Sequence, residues 1–132
     1  MSSMKRVRLA VLFLIVAALV AGTSALAGPV ELANTGTEET ASGEAKLLHV
    51  WGNPWTYYTA DLTVTCKGLR PGKTYYVLVL AYDNGPILVG SGSFIVTKRG
   101  TGFLKLEKIV FWAGIEVTVS NEFGDPVLHG WL

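Results

Sequence analysis

The sequence predicts an all-β fold, a sandwich or barrel of about seven antiparallel strands. Two observations point to it directly. From Lys46 onward the chain consists of short β-branched and aromatic runs separated by Gly, Asn, Asp and Pro, with apolar residues recurring at a period near two. Turn signals return at about the 8–12-residue spacing of all-β domains. A third observation is negative: no segment after residue 27 carries a convincing helical period.

The 132-residue chain opens with Lys5, Arg6 and Arg8 and no acid, followed by an uncharged run over residues 9–27 that ends in Ala25-Leu26-Ala27. That order of basic, apolar and small residues predicts a secretory signal peptide over residues 1–27, cleaved before Gly28. The expected location is therefore secreted or elsewhere outside the cytoplasm, with no membrane association once the signal is removed. The uncharged run is 19 residues, close to the ~20 that a span needs, so a retained anchor is the alternative. Cleavage removes three basic side chains and leaves eight Lys and Arg against ten Asp and Glu, a net charge of about −2. A polyanion-binding role is not expected, and nucleic acid is not an expected partner.

Residues 28–44 (GPVELANTGTEETASGE) hold only Val30 and Leu32 as large apolar residues. So little apolar surface does not offset the entropy of ordering, and the segment is expected to be a flexible tail. The folded domain is then residues 45–132.

Within it, residues 61–67 alternate strictly, placing Leu62, Val64 and Cys66 on one face and Thr63, Thr65 and Lys67 on the other; residues 114–120 repeat the pattern. Each reads as a strand with one wet face. Residues 75–82 (YYVLVLAY) are apolar on both faces. They fit a central strand covered on each side, or one presenting an aromatic-rich face to a partner. Asp83-Asn84-Gly85-Pro86 is a turn. Residues 99–102 and 121–126 read as hairpin links, the first joining 94–98 to 103–108 and the second joining 115–120 to 127–131.

Residues 68–79 (GLRPGKTYYVLV) resemble the tyrosine corner of fibronectin type III and other immunoglobulin-like sandwiches, with Leu69, Pro71, Gly72 and Tyr75 at the family spacing. The resemblance implies a small antiparallel β-sandwich of about seven strands, Ig-like in architecture. It also implies a Tyr75 hydroxyl bonded back to the 69–73 turn. The corner comes earlier in this chain than in fibronectin type III, so the topology is not carried over, and no ligand-binding residue is implied.

Little in the sequence predicts an enzyme. Cys66, the single thiol, falls on an inward strand face, and the serines of 90–93 (GSGS) lack a strand–elbow–helix context. A metal site would have to use His49 and His129, each of which reads as an edge-strand residue with a wet imidazole, so neither a metal nor a cofactor is expected. The acids lie where solvation alone would put them.

The unusual segment is 51–58 (WGNPWTYY), four large aromatics in eight residues, broken by Gly, Asn and Pro. Loops on rigid β scaffolds carry binding residues, and Trp and Tyr supply contact area at low entropic cost. Trp55, Tyr57 and Tyr58 are the candidate ligand-binding residues, with Trp112 a further loop aromatic. In the competing arrangement Trp51 and Tyr57 plug one end of the core. The expected function is a non-catalytic exported binding or adhesion module that recognises a glycan or protein. The alternative is a structural or accessory envelope protein acting through sheet-edge association.

Overall fold

The computed structural model describes residues 28–132, so the export signal expected over 1–27 lies outside the described residues. Eight strands fill that span: β1 (Val30–Asn34), β2 (Ser42–Gly52), β3 (Tyr58–Lys67), β4 (Thr74–Tyr82), β5 (Pro86–Ile95), β6 (Gly102–Phe111), β7 (Ile115–Ser120) and β8 (Pro126–Trp131). They form one antiparallel sheet in the order β5-β4-β7-β8-β1-β2-β3-β6 that curls into a nearly closed barrel. The count is eight where the sequence suggested about seven. The strands run continuously through β1 instead of separating into two sheets.

β1 holds the two halves together. Its first residues, Val30 to Leu32, pair with Ala45 to Gly43 of β2, and its last two, Ala33 and Asn34, pair with His129 and Leu128 of β8. The expectation of a flexible tail over 28–44 is corrected here: the segment contains β1, a turn and the start of β2. Backbone pairing on both sides, together with Leu32 buried at 3% exposure, orders a stretch whose composition alone does not. Asn34 adds to this by donating its amide to the carbonyls of Glu38 (2.8 Å) and Ala41 (2.9 Å) across the turn.

The interior is built by alternation. Leu62, Val64 and Cys66 of β3, Tyr75, Val77, Val79 and Ala81 of β4, and Ile115, Val117 and Val119 of β7 all point inward and are fully buried. Each Val, Leu or Ile so enclosed contributes roughly 1.5–3 kcal/mol against leaving it in water. The other face of β4 is uncovered: Tyr76, Leu78 and Tyr82 are exposed. Of the two arrangements open for this doubly apolar strand, the chain adopts the one with a bare outer face.

The barrel closes between its two end strands. β5 and β6 lie next to each other without a hydrogen-bonded ladder, so the hairpin expected through 99–102 does not form. The seam is filled by side chains instead. Leu104 of β6 lies within 2.9 Å of where a Cβ on Gly92 of β5 would stand, and Leu106 within 3.2 Å of one on Gly90. The glycines make room for the leucines. The 121–126 link does join a paired β7–β8, and 83–85 joins a paired β4–β5.

Candidate functional site

The ladder registers set β2's Gly52, β3's Tyr58, β6's Phe111, β7's Ile115, β8's Trp131 and β4's Tyr82 at one end of the barrel. All four tryptophans of the chain, Trp51, Trp55, Trp112 and Trp131, therefore gather at that end, although they are spread over 80 positions of sequence. The loops there, 53–57, 83–85 and 112–114, contain no Lys or Arg.

The 53–57 loop is held from within. Asn53 Oδ1 accepts the backbone N–H groups of Trp55 (2.9 Å) and Thr56 (3.2 Å), an Asx turn that fixes the tip. At its base Gly52 has φ +131°, and a Cβ there would fall 2.2 Å from the Tyr57 carbonyl oxygen. No other residue fits that close approach.

On this frame Trp55 is 90% exposed and Tyr57 49%, so the two residues stand out together. Tyr58 does not join them. It is half-buried and stacks on Phe111 with ring centroids 5.4 Å apart, and burial raises its hydroxyl pKa above the usual tyrosine range. Among the candidates it supports the loop from below. Trp112 is half-buried against the core. Trp51, expected to plug the core in the competing arrangement, is instead 77% exposed.

A β-bulge explains Trp51. Between Leu48 and Trp51 the β2 chain has one residue more than its partner, since Leu48 pairs with Asp61 and Trp51 with Thr59. The bulge sits at His49, whose φ is +56°. One extra residue reverses every later side chain, so Val50 packs on the core and Trp51 turns outward. The neighbouring β3–β6 ladder is also irregular beside Lys108, φ +54°. Asp61 secures both: Oδ2 accepts His49 Nδ1–H at 2.9 Å and Oδ1 accepts the Lys108 N–H at 3.0 Å. Those bonds, His49 first, hold the Asp61 carboxyl below its ordinary pKa. His49, Thr59, Ala60, Asp61 and Lys108 line a shallow recess of about 250 Å³, and Thr59 is the cross-strand partner of Trp51. Exposed aromatics and a polar recess thus share one stretch of the β2–β3 ribbon.

No protein-family model and no curated protein matches this chain. What it can do chemically rests on its own groups. Among the described residues no three His, Cys, Asp or Glu side chains come together as metal ligands would. The histidines lie in separate places, His49 on Asp61 and His129 on Glu116. Cys66 is fully buried, and burial pushes its thiol pKa up to about 12, which keeps it protonated and unreactive.

At the opposite end the loops bind one another. The Tyr75 hydroxyl accepts the Arg70 N–H at 3.0 Å and donates to Glu38 Oε1 at 2.5 Å. The expectation for residues 68–79 is a Tyr75 hydroxyl bonded back to the 69–73 turn. In the structure the backbone donates, and the hydroxyl proton goes to a carboxylate that β1 brings in.

Proposed function

We propose that this protein is an exported, non-catalytic binding or adhesion module that grips a glycan or a protein surface through the aromatic end of its barrel. The contact residues are Trp55 and Tyr57, joined by Trp51, with Tyr58 as their support. The observation that carries this reading is the 90% exposure of Trp55 on a loop pinned by Asn53. Fixing a large aromatic in water brings no folding gain from its burial and gives a ligand a contact surface that needs no further ordering. Export rests on the order of basic, apolar and small residues in 1–27.

The alternative, association through a sheet edge, has less to draw on. The two end strands face each other across the Gly90/Gly92–Leu104/Leu106 seam, and the free upper part of β2 is kinked by its bulge, a device that discourages strand addition. The likeness of residues 68–79 to the fibronectin type III corner concerns the turn before β4 and contributes no ligand-binding residue.

The test is Trp55→Ala in the 28–132 protein, which contains all eight strands. Its unfolding midpoint should move by less than about 1 kcal/mol, as for most surface changes. Retention on an array of glycans and purified surface proteins should be lost. A large loss of stability, or unchanged retention, refutes the platform.

A further inference from the structure

On the outer wall of the barrel, at the same end as the 53–57 loop but on other strands, β4, β7 and β8 bring together Tyr82, Glu116, His129 and Trp131. Glu116 Oε1 accepts the Tyr82 hydroxyl and Oε2 accepts His129 Nε2–H, both at 2.6 Å. The Tyr82 bond, then the His129 bond, keep the carboxyl pKa below its ordinary value, so it is a carboxylate at neutral pH. Trp131 lies across from Glu116 in the β7–β8 ladder. Its ring is braced at 5.4 Å by Tyr82 and edge-on at 6.0 Å by His129, yet it stays 55% exposed.

The arrangement combines one oriented aromatic face with a short row of fixed polar atoms. Each Glu116 oxygen takes one protein hydrogen bond and keeps a lone pair, and His129 Nδ1 takes part in no hydrogen bond among the described residues. The cross-strand neighbours, Leu80 and Thr118, add no positive charge that would select an anion. The carboxylate already receives two donors, which weakens its pull on a cation. A neutral ring with an apolar C–H face and hydroxyls at its edge matches both features.

We propose that this wall is a saccharide site of its own, at which a neutral pyranose stacks on Trp131 and hydrogen-bonds Glu116 and His129 through adjacent hydroxyls. The proposal goes beyond the loop reading and does not depend on it. The two sites share no side chain.

The experiment follows the four tryptophan indole N–H resonances of the 28–132 protein by NMR. Maltohexaose, cellohexaose, mannohexaose and chitohexaose are added separately to millimolar concentration. At least one should shift the Trp131 indole, with the same midpoint in Trp55→Ala. Binding should weaken at least tenfold in Glu116→Gln; followed at the backbone amides of Glu116 and His129, since the Trp131 variants lack that indole, it should vanish in Trp131→Ala, while Trp131→Tyr, which keeps a ring, retains part of it. Unchanged backbone spectra identify the variants that remain folded. If no oligosaccharide shifts Trp131, or if its shift disappears in Trp55→Ala, the wall site is wrong. Shifts at Trp55 alone would overturn this site and leave the loop reading standing.

Discussion

Replacing Tyr75 by Phe removes one oxygen from the most connected point of the fold. Tyr75 is fully buried and stacks on Phe94 at 6.0 Å, so the ring itself is not disturbed by the change. The hydroxyl is the sole link between the Arg70 N–H and Glu38 Oε1. Glu38 Oε2 in turn takes the Asn121 amide at 3.3 Å and faces Arg70 Nε at 3.4 Å, while Arg70 Nη2 lies 3.3 Å from Glu122. Those guanidinium contacts lack hydrogen-bond alignment although Arg70 Nε and Nη2 are themselves shielded from water, so they hold the two carboxylates by charge alone. The Tyr75–Glu38 bond is different, being short, charge-assisted and largely enclosed. Losing a bond to a charged group costs about 1.5–3 kcal/mol, and the stranded Arg70 N–H adds to it, so we expect about 2–3 kcal/mol in all. Urea denaturation of the 28–132 protein, followed by tryptophan fluorescence, measures this directly. Tyr76→Phe is the control: that ring is 47% exposed on the opposite face, and its change should stay within about 0.5 kcal/mol. The double variant with Glu38→Gln should be less destabilised than the sum of the single ones by at least about 1 kcal/mol, because Glu38→Gln takes the charge from the same bond that Tyr75→Phe removes. A loss below about 1 kcal/mol from Tyr75→Phe, or strict additivity with Glu38→Gln, would refute the network.

Two further outcomes are expected. Gly68 and Gly72 have similar positive φ, +68° and +78°, but a Cβ on Gly68 would stand 1.9 Å from the Thr40 carbonyl oxygen while one on Gly72 meets nothing within 4 Å. Gly72→Ala should therefore cost only the left-handed penalty of about 1–2 kcal/mol, and Gly68→Ala clearly more in the same denaturation assay; equal losses would show that the 35–41 turn is not held against Gly68. Cys66, buried with a raised pKa, should react with a thiol reagent no faster than the protein unfolds. Rapid labelling in native buffer would place it outside the core.

The inward faces of β3, β4 and β7 were legible because each strand has one buried face, and alternation reports that directly: Leu62, Val64 and Cys66 are enclosed, as the pattern required. β1 was not legible. Only Leu32 of its five residues is buried, and what orders it is pairing with strands about 13 and 95 positions away, which local composition does not encode. The 99–102 link departs from the expected hairpin for a related reason. A Gly-rich link between two strand-like runs suggests a hairpin, yet β5 and β6 are the margins of the sheet, and only closure of the barrel brings them side by side. At the candidate site, exposure of Trp55 and Tyr57 could be expected from Asn53-Pro54, but Trp51 could not. Its outward turn depends on a bulge at a histidine with positive φ, and a histidine in a strand gives no warning of one. The wet face that carries Glu116 follows from the alternation of 114–120, whereas its meeting with Tyr82 and His129 needs the β4-β7-β8 order.

The two ends of the barrel differ in how their loops are held. At the Tyr75 end the loops are tied to one another: Leu69 N–H to the Gly100 carbonyl at 3.0 Å, Gly72 N–H to that of Val96 at 2.9 Å, the Thr40 hydroxyl to that of Gly68 at 2.7 Å, and Glu38 to Tyr75 and Asn121. A substitution there loosens several connections at once and is charged to folding. At the aromatic end the hydrogen bonds of 53–57 run from Asn53 to Trp55 and Thr56, within the loop itself. Changing what Trp55 or Tyr57 presents to solvent therefore leaves the barrel's connections intact, and Tyr58 on Phe111 keeps the loop seated on the core. A surface that varies without a folding penalty is one on which recognition can be tuned. The physical separation of the Glu38–Tyr75 lock from the tryptophan end is thus a further argument for the proposed contact surface at the latter.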